Sequence, residues 1–288
     1  MVLSILTRWN RAEARTKNAP PTTHPLGTPL RLMKSATTQK KRMPKFEPIT
    51  LSEQDGVRYL HFGTEWVQGA MRIRRPYWIE LEYAQQMMAW MLFIDNPTDI
   101  AQLGLGTGAL TKFCYRTYPQ AQIIAVELNP NVIEVCRTMF KLPANDERLH
   151  VIQQDADLFV NDPANRRTLD VMQIDLYDAT ARGPVLDTPE FYRACARCLR
   201  DSGIATLNLF GDHPSFKKNI AAIHTAFEHV LVLPEVHQGN VVVIAFKSLP
   251  SFDLTRLYLR ATTVRTETKL PAHLWVHDIK QVLDDSLS

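Results

Sequence analysis

The chain has 288 residues, 45% of them hydrophobic and 22% charged, and a formal net charge of +3. That is long enough for one large or two small domains with a substantial core, in the composition range of an ordinary globular protein. No stretch approaches the roughly 18 consecutive apolar residues a membrane-spanning helix requires, and the apolar start MVLSIL is too short for a secretory core, so a cytoplasmic protein with no membrane partner is expected.

The charge is unevenly spread. Residues 1–46 hold ten Lys or Arg against the single acid Glu13, a local charge of +9 against +3 for the whole, so the remainder carries −6. This segment is rich in Pro, Ser and Thr and has no sustained apolar period, which predicts a basic disordered leader. An organelle transit peptide, an RNA-touching arm and a dispensable start upstream of Met33 or Met43 all fit it.

From residue 47 the character changes. FEPITLSEQDGVRYLHFGTEWVQGAMRI has short alternating runs broken at Asp55-Gly56 and Gly63, the pattern of a small antiparallel β unit over 47–75. Pro76 then opens PYWIELEYAQQMMAWMLFI, whose apolar residues recur at helical spacing; Pro suits a first turn, and Asn96-Pro97 closes the segment.

A regular alternation follows. DIAQLGLG reads as a strand, ALTKFCYRTY as a helix, AQIIAVEL as a strand, PNVIEVCRTMF as a helix, and RLHVIQQD and LDVMQIDL as strands. TPEFYRACARCLRDSG is a helix ended by Gly203, IATLNLFG a strand, PSFKKNIAAIHTAFEHV a helix, and HVLVLPEV with NVVVIAFK a terminal pair. Strands alternating with helices predict an α/β fold over 76–250: a mostly parallel sheet covered on both faces, with an antiparallel hairpin at one edge. Residues 251–288 form a C-terminal extension in which WVHDIKQVLDD reads as a last helix. Cys114, Cys136, Cys195 and Cys198 do not make a disulfide framework for a chain this long. Cys195 and Cys198 form a C-x-x-C within a helix, with no second pair to complete a zinc set, so no metal is expected.

In an open sheet of this kind ligands bind beyond the carboxyl ends of the strands. Four such ends carry a signal. Gly104, Gly106 and Gly108 lie between a strand and a helix, where missing side chains let the backbone turn tightly and approach a ligand; a ligand-free turn would have the same composition. Glu127 ends the next strand about twenty residues later, the offset at which a carboxylate accepts both hydroxyls of a ribose. Asp155 follows the third strand, placed to accept from the exocyclic amine of a base, to cap a helix, or both. Asp175 ends the central strand beside the glycines, and Asp178 lies three residues on. Two acids facing a nucleoside site suit a cationic substrate, since a carboxylate attracts an ammonium ion and can take a proton from it.

Residues 48–247 resemble the polyamine aminopropyltransferases, the spermidine synthase family. The matches are WVQGAM with Gln68, the helix near LEYAQQMM, LGLGTGAL, VELNPNVIEV, QQDADLF and above all DLYDATARGPVLDTPEFY. The resemblance implies a class I methyltransferase-like Rossmann domain behind the small N-terminal β unit. It also implies an enzyme that moves an aminopropyl group from decarboxylated S-adenosylmethionine, a co-substrate and not a tightly bound cofactor, to putrescine or a related amine. It places the nucleoside against Gly104, Gly106 and Gly108, its ribose on Glu127 and its adenine on Asp155 and Ala156. Asp175 becomes the general base, Asp178 a binder of the diamine, and Gln68 and Tyr83 line the substrate side.

The sequence also departs from that family. Thr107 stands where its glycine loop has an Asp, Ala179 replaces a Pro after the second acid, and a later aromatic-Pro-Ser-Gly segment appears as VHQGN, which contains His237. Thr107 leaves ordinary S-adenosylmethionine open as donor and a methyltransferase on a small acceptor as the alternative; a catalytically silent nucleoside-binding homologue with an RNA-touching arm ranks last. The expected partners are a small-molecule amine and a second copy of the chain, with no nucleic acid.

Overall fold

A computed structural model describes residues 46–177, 184–236, 239–248, 250–251 and 253–285. Residues 1–45 of the expected leader, Asp178 and His237 fall outside these residues.

The N-terminal unit is a three-stranded antiparallel meander of β1 (Ile49–Gln54), β2 (Val57–Phe62) and β3 (Gly69–Arg72). Asp55 and Gly56 both take positive φ, 51° and 75°, and join the flanking pair Gln54–Val57 through a two-residue hairpin turn.

The segment after Pro76 departs from the expected helix. The chain runs irregularly to Leu81, which is extended, and only then forms a five-residue helix α1 (Glu82–Gln86) followed by a 3₁₀ stretch, Met87–Leu92. All six residues of that stretch are buried. When every position is apolar and enclosed, apolar spacing carries no period, and the tighter i→i+3 turn fits as well as the α turn.

Beyond it lies a seven-stranded sheet. Its strands are β4 (Asp99–Leu103), β5 (Gln122–Glu127), β6 (Leu149–Gln153), β7 (Leu169–Ile174), β8 (Leu199–Phe210), β9 (His229–Val232) and β10 (Asn240–Phe246). Their spatial order is β6-β5-β4-β7-β8-β10-β9, with β4 to β8 parallel and β10 antiparallel to both of its neighbours. The order reverses between β4 and β7, which opens a crevice at their carboxyl ends.

Helices α2 (Ala109–Thr117) and α3 (Pro130–Met139) share one face of the sheet with the 3₁₀ stretch and with α7 (Leu254–Thr268) and α8 (Ala272–Asp285). Helices α4 (Ala156–Asn161), α5 (Pro189–Cys198) and α6 (Phe216–His224) cover the other. Each face has its own apolar cluster, so the domain is a three-layer α/β/α sandwich. Among the described residues no helix is long and apolar enough to cross a membrane, and no cluster of metal-ligating side chains occurs.

Helix α5 stops at Cys198 and not at Gly203, because Leu199 is already extended and begins β8. Between Leu169–Leu199 and Val171–Ile204 the pairing slips, so β8 makes a bulged fold over residues 200–203. Gly203 permits that fold: a Cβ there would lie 2.8 Å from Leu199 Cβ and 2.9 Å from the Arg200 carbonyl oxygen.

Candidate active site

The site is built where β4, β5 and β7 end. The last rung between β4 and β7 is Asp175 N–H donating to the Leu103 carbonyl at 2.9 Å, and Gly104 N–H donates to Val126 at 2.9 Å. These bonds press the glycine loop against Asp175. Gly104 has φ +91°, and a Cβ on it would sit 2.1 Å from the Asp175 carbonyl oxygen, so no other residue fits. Gly106 meets one neighbour, the Gln68 carbonyl at 3.1 Å, and Gly108 faces Leu142. The loop thus abuts both the Asp175 strand end and the Gln68 segment, which is held by Gln68 N–H donating to Leu60 at 2.8 Å.

Glu127 closes the β5 side. Its Oε2 accepts from Leu105 N–H at 3.0 Å and its Oε1 from Asn129 N–H at 2.8 Å, which ties the glycine loop to the next strand end. Burial raises its carboxyl above the usual range, while those amides oppose the shift. An ionised carboxylate offers about four lone-pair sites, so the backbone bonds do not exhaust its capacity to accept from a hydroxyl. Asp155 caps α4, its Oδ1 accepting from Asp157 N–H at 2.9 Å, and the next residue, Ala156, is buried.

Asp175 lies at the centre of the acid side. Gln102, Gln173 and Thr206 are register partners on β4, β7 and β8 and form a buried polar row across the sheet. Asp175 is two residues beyond Gln173, and Asn208 two beyond Thr206, so both continue that face towards the crevice. Asp175 Oδ1 accepts from Asn208 Nδ2 at 3.0 Å and Oδ2 from the Tyr83 hydroxyl at 3.3 Å. Burial raises the Asp175 carboxyl, and the two donors pull it partly back. The Tyr83 hydroxyl is pushed well above its ordinary value by burial first and the Asp175 charge second, so it remains a donor. The Tyr177 hydroxyl donates to the Asn208 carbonyl at 2.9 Å, and Tyr177 pairs with Pro184 across the segment that carries Asp178.

The structure therefore brings together Gly104, Gly106, Glu127, Asp175, Tyr83 and the Gln68 backbone. Thr107 is buried, and its hydroxyl donates to the Ala70 carbonyl on β3 at 3.2 Å. Sequence reasoning missed Asn208 and Tyr177. A lone amide near the end of the apolar strand IATLNLF was the available signal for Asn208.

Comparison with known proteins fits this arrangement. The spermine/spermidine synthase domain matches residues 81–244. A polyamine aminopropyltransferase of Neisseria meningitidis is 31% identical over 238 residues, 82% of this chain and 90% of the relative. One from Chromobacterium violaceum is 32% identical over 210 residues, 73% and 78% of the two chains. A probable spermidine synthase from Corynebacterium glutamicum superposes with a TM-score of 0.65 at 21% identity, covering 83% of this chain and 90% of that one. A domain match over more than half of the chain and relatives above 30% identity settle the kinship: the chain belongs to the spermine/spermidine synthase family of transferases.

Proposed function

We propose that the protein is a polyamine aminopropyltransferase of the spermidine synthase type, using decarboxylated S-adenosylmethionine and putrescine or a related amine. The observation that carries this reading is Asp175, a carboxylate of raised proton affinity, fixed by Tyr83 and Asn208 beside the glycine loop. A primary ammonium titrates near pH 10 and has no lone pair to attack with. Asp175 takes the proton from the amine as its nitrogen attacks the methylene carbon next to the sulfonium. The new C–N bond forms as the C–S bond breaks, and sulfur leaves with the electron pair as a neutral thioether.

Gly104, Gly106 and Gly108 would approach the nucleoside, Glu127 its ribose, and Asp155 with Ala156 its adenine. Gln68 and Tyr83 would line the acceptor side, with Asp178 fixing the far charge of the diamine. The reading includes a leader over 1–46, a β unit over 47–75, a catalytic domain over 76–250 and an extension over 251–288. It also includes a homodimer and a cytoplasmic location.

A methyltransferase is the less favoured alternative: Thr107, its hydroxyl spent on Ala70, offers the donor's tail no charge and so leaves ordinary S-adenosylmethionine open, but the relatives matched over most of this chain are aminopropyltransferases. Incubation with putrescine and each donor in turn, read by mass spectrometry, separates the two: an aminopropylated product supports the proposal, and a methylated one overturns it. Asp175→Asn should cut turnover by about 10²–10⁴-fold, the usual contribution of a positioned base, while thioether-nucleoside binding by calorimetry stays near that of the wild type.

A further inference from the structure

Helix α1 carries Tyr83, yet its five residues are too few to be stable alone, and its N-cap, Leu81, makes no capping bond. Its placement must come from outside. Gln85 Nε2 donates to the Ile79 carbonyl at 2.8 Å, within the same segment. Gln86 reaches much further: its Nε2 donates at 3.0 Å to Oδ2 of Asp278, on α8, 192 residues along the chain. Gln86 and Tyr83 are three residues apart and so lie on one side of the helix. One side therefore bears a bond to Asp175 through Tyr83 and a bond to the C-terminal helix through Gln86.

The pair is a poor choice for stability. Gln86 is only 3% exposed, and its own carbonyl oxygen has no hydrogen-bond partner among the described residues. An apolar side chain would avoid that cost. What the glutamine supplies is direction.

We infer that Asp278 is a positioning residue for the amine site: through Gln86 it fixes α1, and so holds the Tyr83 hydroxyl against Asp175. The inference rests on the aminopropyltransferase reading for its kinetic readout. Asp278 itself touches no reacting atom.

The test is a double-mutant cycle in the full-length chain, with melting temperature, donor KM and kcat measured for each variant. Asp278→Ala should lower kcat about tenfold or more with donor KM unchanged. Asp278→Asn, whose amide oxygen still accepts from Gln86, should stay within about twofold of wild type. Gln86→Met should lower kcat as Asp278→Ala does while the melting temperature holds or rises, an outcome a merely structural role would not produce. In a Tyr83→Phe background Asp278→Ala should change kcat by less than about twofold, since a residue acting through Tyr83 has nothing left to position. Losses that multiply in that background, or an unchanged kcat in Gln86→Met, overturn the inference. Gln86→Met carries the test if Asp278→Ala does not fold. Hydrogen exchange at residues 82–86 gives a readout free of turnover. Faster exchange in Gln86→Met supports the anchor even if the wild type transfers no aminopropyl group, in which case the enzymatic reading fails by itself; unchanged exchange removes the anchor.

Discussion

Asp175 is held between opposed influences. Burial favours its neutral form, whereas the Asn208 amide and the Tyr83 hydroxyl favour the anion. The proposed base would be active only when deprotonated, so on that reading these donors set how far into the acid range the enzyme works. Asn208→Leu removes one of them and leaves Oδ1 without a partner. The carboxyl then holds its proton to higher pH, and the acid limb of the kcat/KM profile should move upward; a limb that stays in place, or moves down, would show that Asn208 does not tune the base. The same balance has a sign for stability. A carboxyl whose folded value is raised contributes stability at low pH that is lost as pH climbs through the folded value, so ionised Asp175 is a burden on the fold at neutrality.

At the scale of elements, the α2–α3 contact contains a buried cation. Lys112, only 1% exposed, donates from Nζ to the carbonyl of Phe140 at the C-terminal end of α3, 2.7 Å away. Burial lowers its ammonium from 10.5 to about 8. Below about pH 8 the folded and unfolded chains both carry this proton, and the full cost of burying the charge applies. Between about 8 and 10.5 only the unfolded chain keeps it, so this residue's contribution to stability rises with pH, by at most about 1.4 kcal/mol per unit. Buried thiols such as Cys136, raised by burial, titrate with the opposite sign, so wild type alone does not isolate the effect. Urea midpoints of wild type and Lys112→Met from pH 7 to 10 do: the variant's stability relative to wild type should fall steadily above pH 8. A constant difference would mean that Lys112 keeps its ordinary value in the fold, as a solvated ammonium does.

Across the whole molecule, legibility followed burial. The parallel strands were readable because each is a short apolar run ended by glycine or acid, and the rule that ligands sit at such ends led directly to Gly104, Glu127 and Asp175. Where burial is uniform, as over Met87–Leu92, the pattern says nothing, and PYWIELEYAQQMMAWMLFI, which reads as one helix, folds as an irregular lead, α1 and a 3₁₀ stretch. Asn208 and the burial of Thr107 depend on which way one side chain faces across strands distant in sequence, and spacing does not encode that. Helix α7 was unread because it buries only Leu257, Ala261 and Val264.

Those residues nevertheless join Trp275, Val276 and Ile279 of α8 in the same cluster as Trp90, Met91 and Phe246. Arg260 adds a bond from Nε to the Met91 carbonyl at 2.9 Å and an ion pair with Asp95 at 2.8 Å. The extension therefore completes one face of the domain; it does not decorate it. Truncation after residue 250 uncovers the 3₁₀ stretch that continues α1, and should give a chain without a cooperative melting transition. Trp275→Ala, a milder cut into the same contact, should cost about 3–5 kcal/mol and lower the midpoint by roughly 10 °C. A 1–250 fragment that melts cooperatively at the wild-type temperature would show instead that the sheet closes its own core, and that α7 and α8 contribute to the site without contributing to the fold.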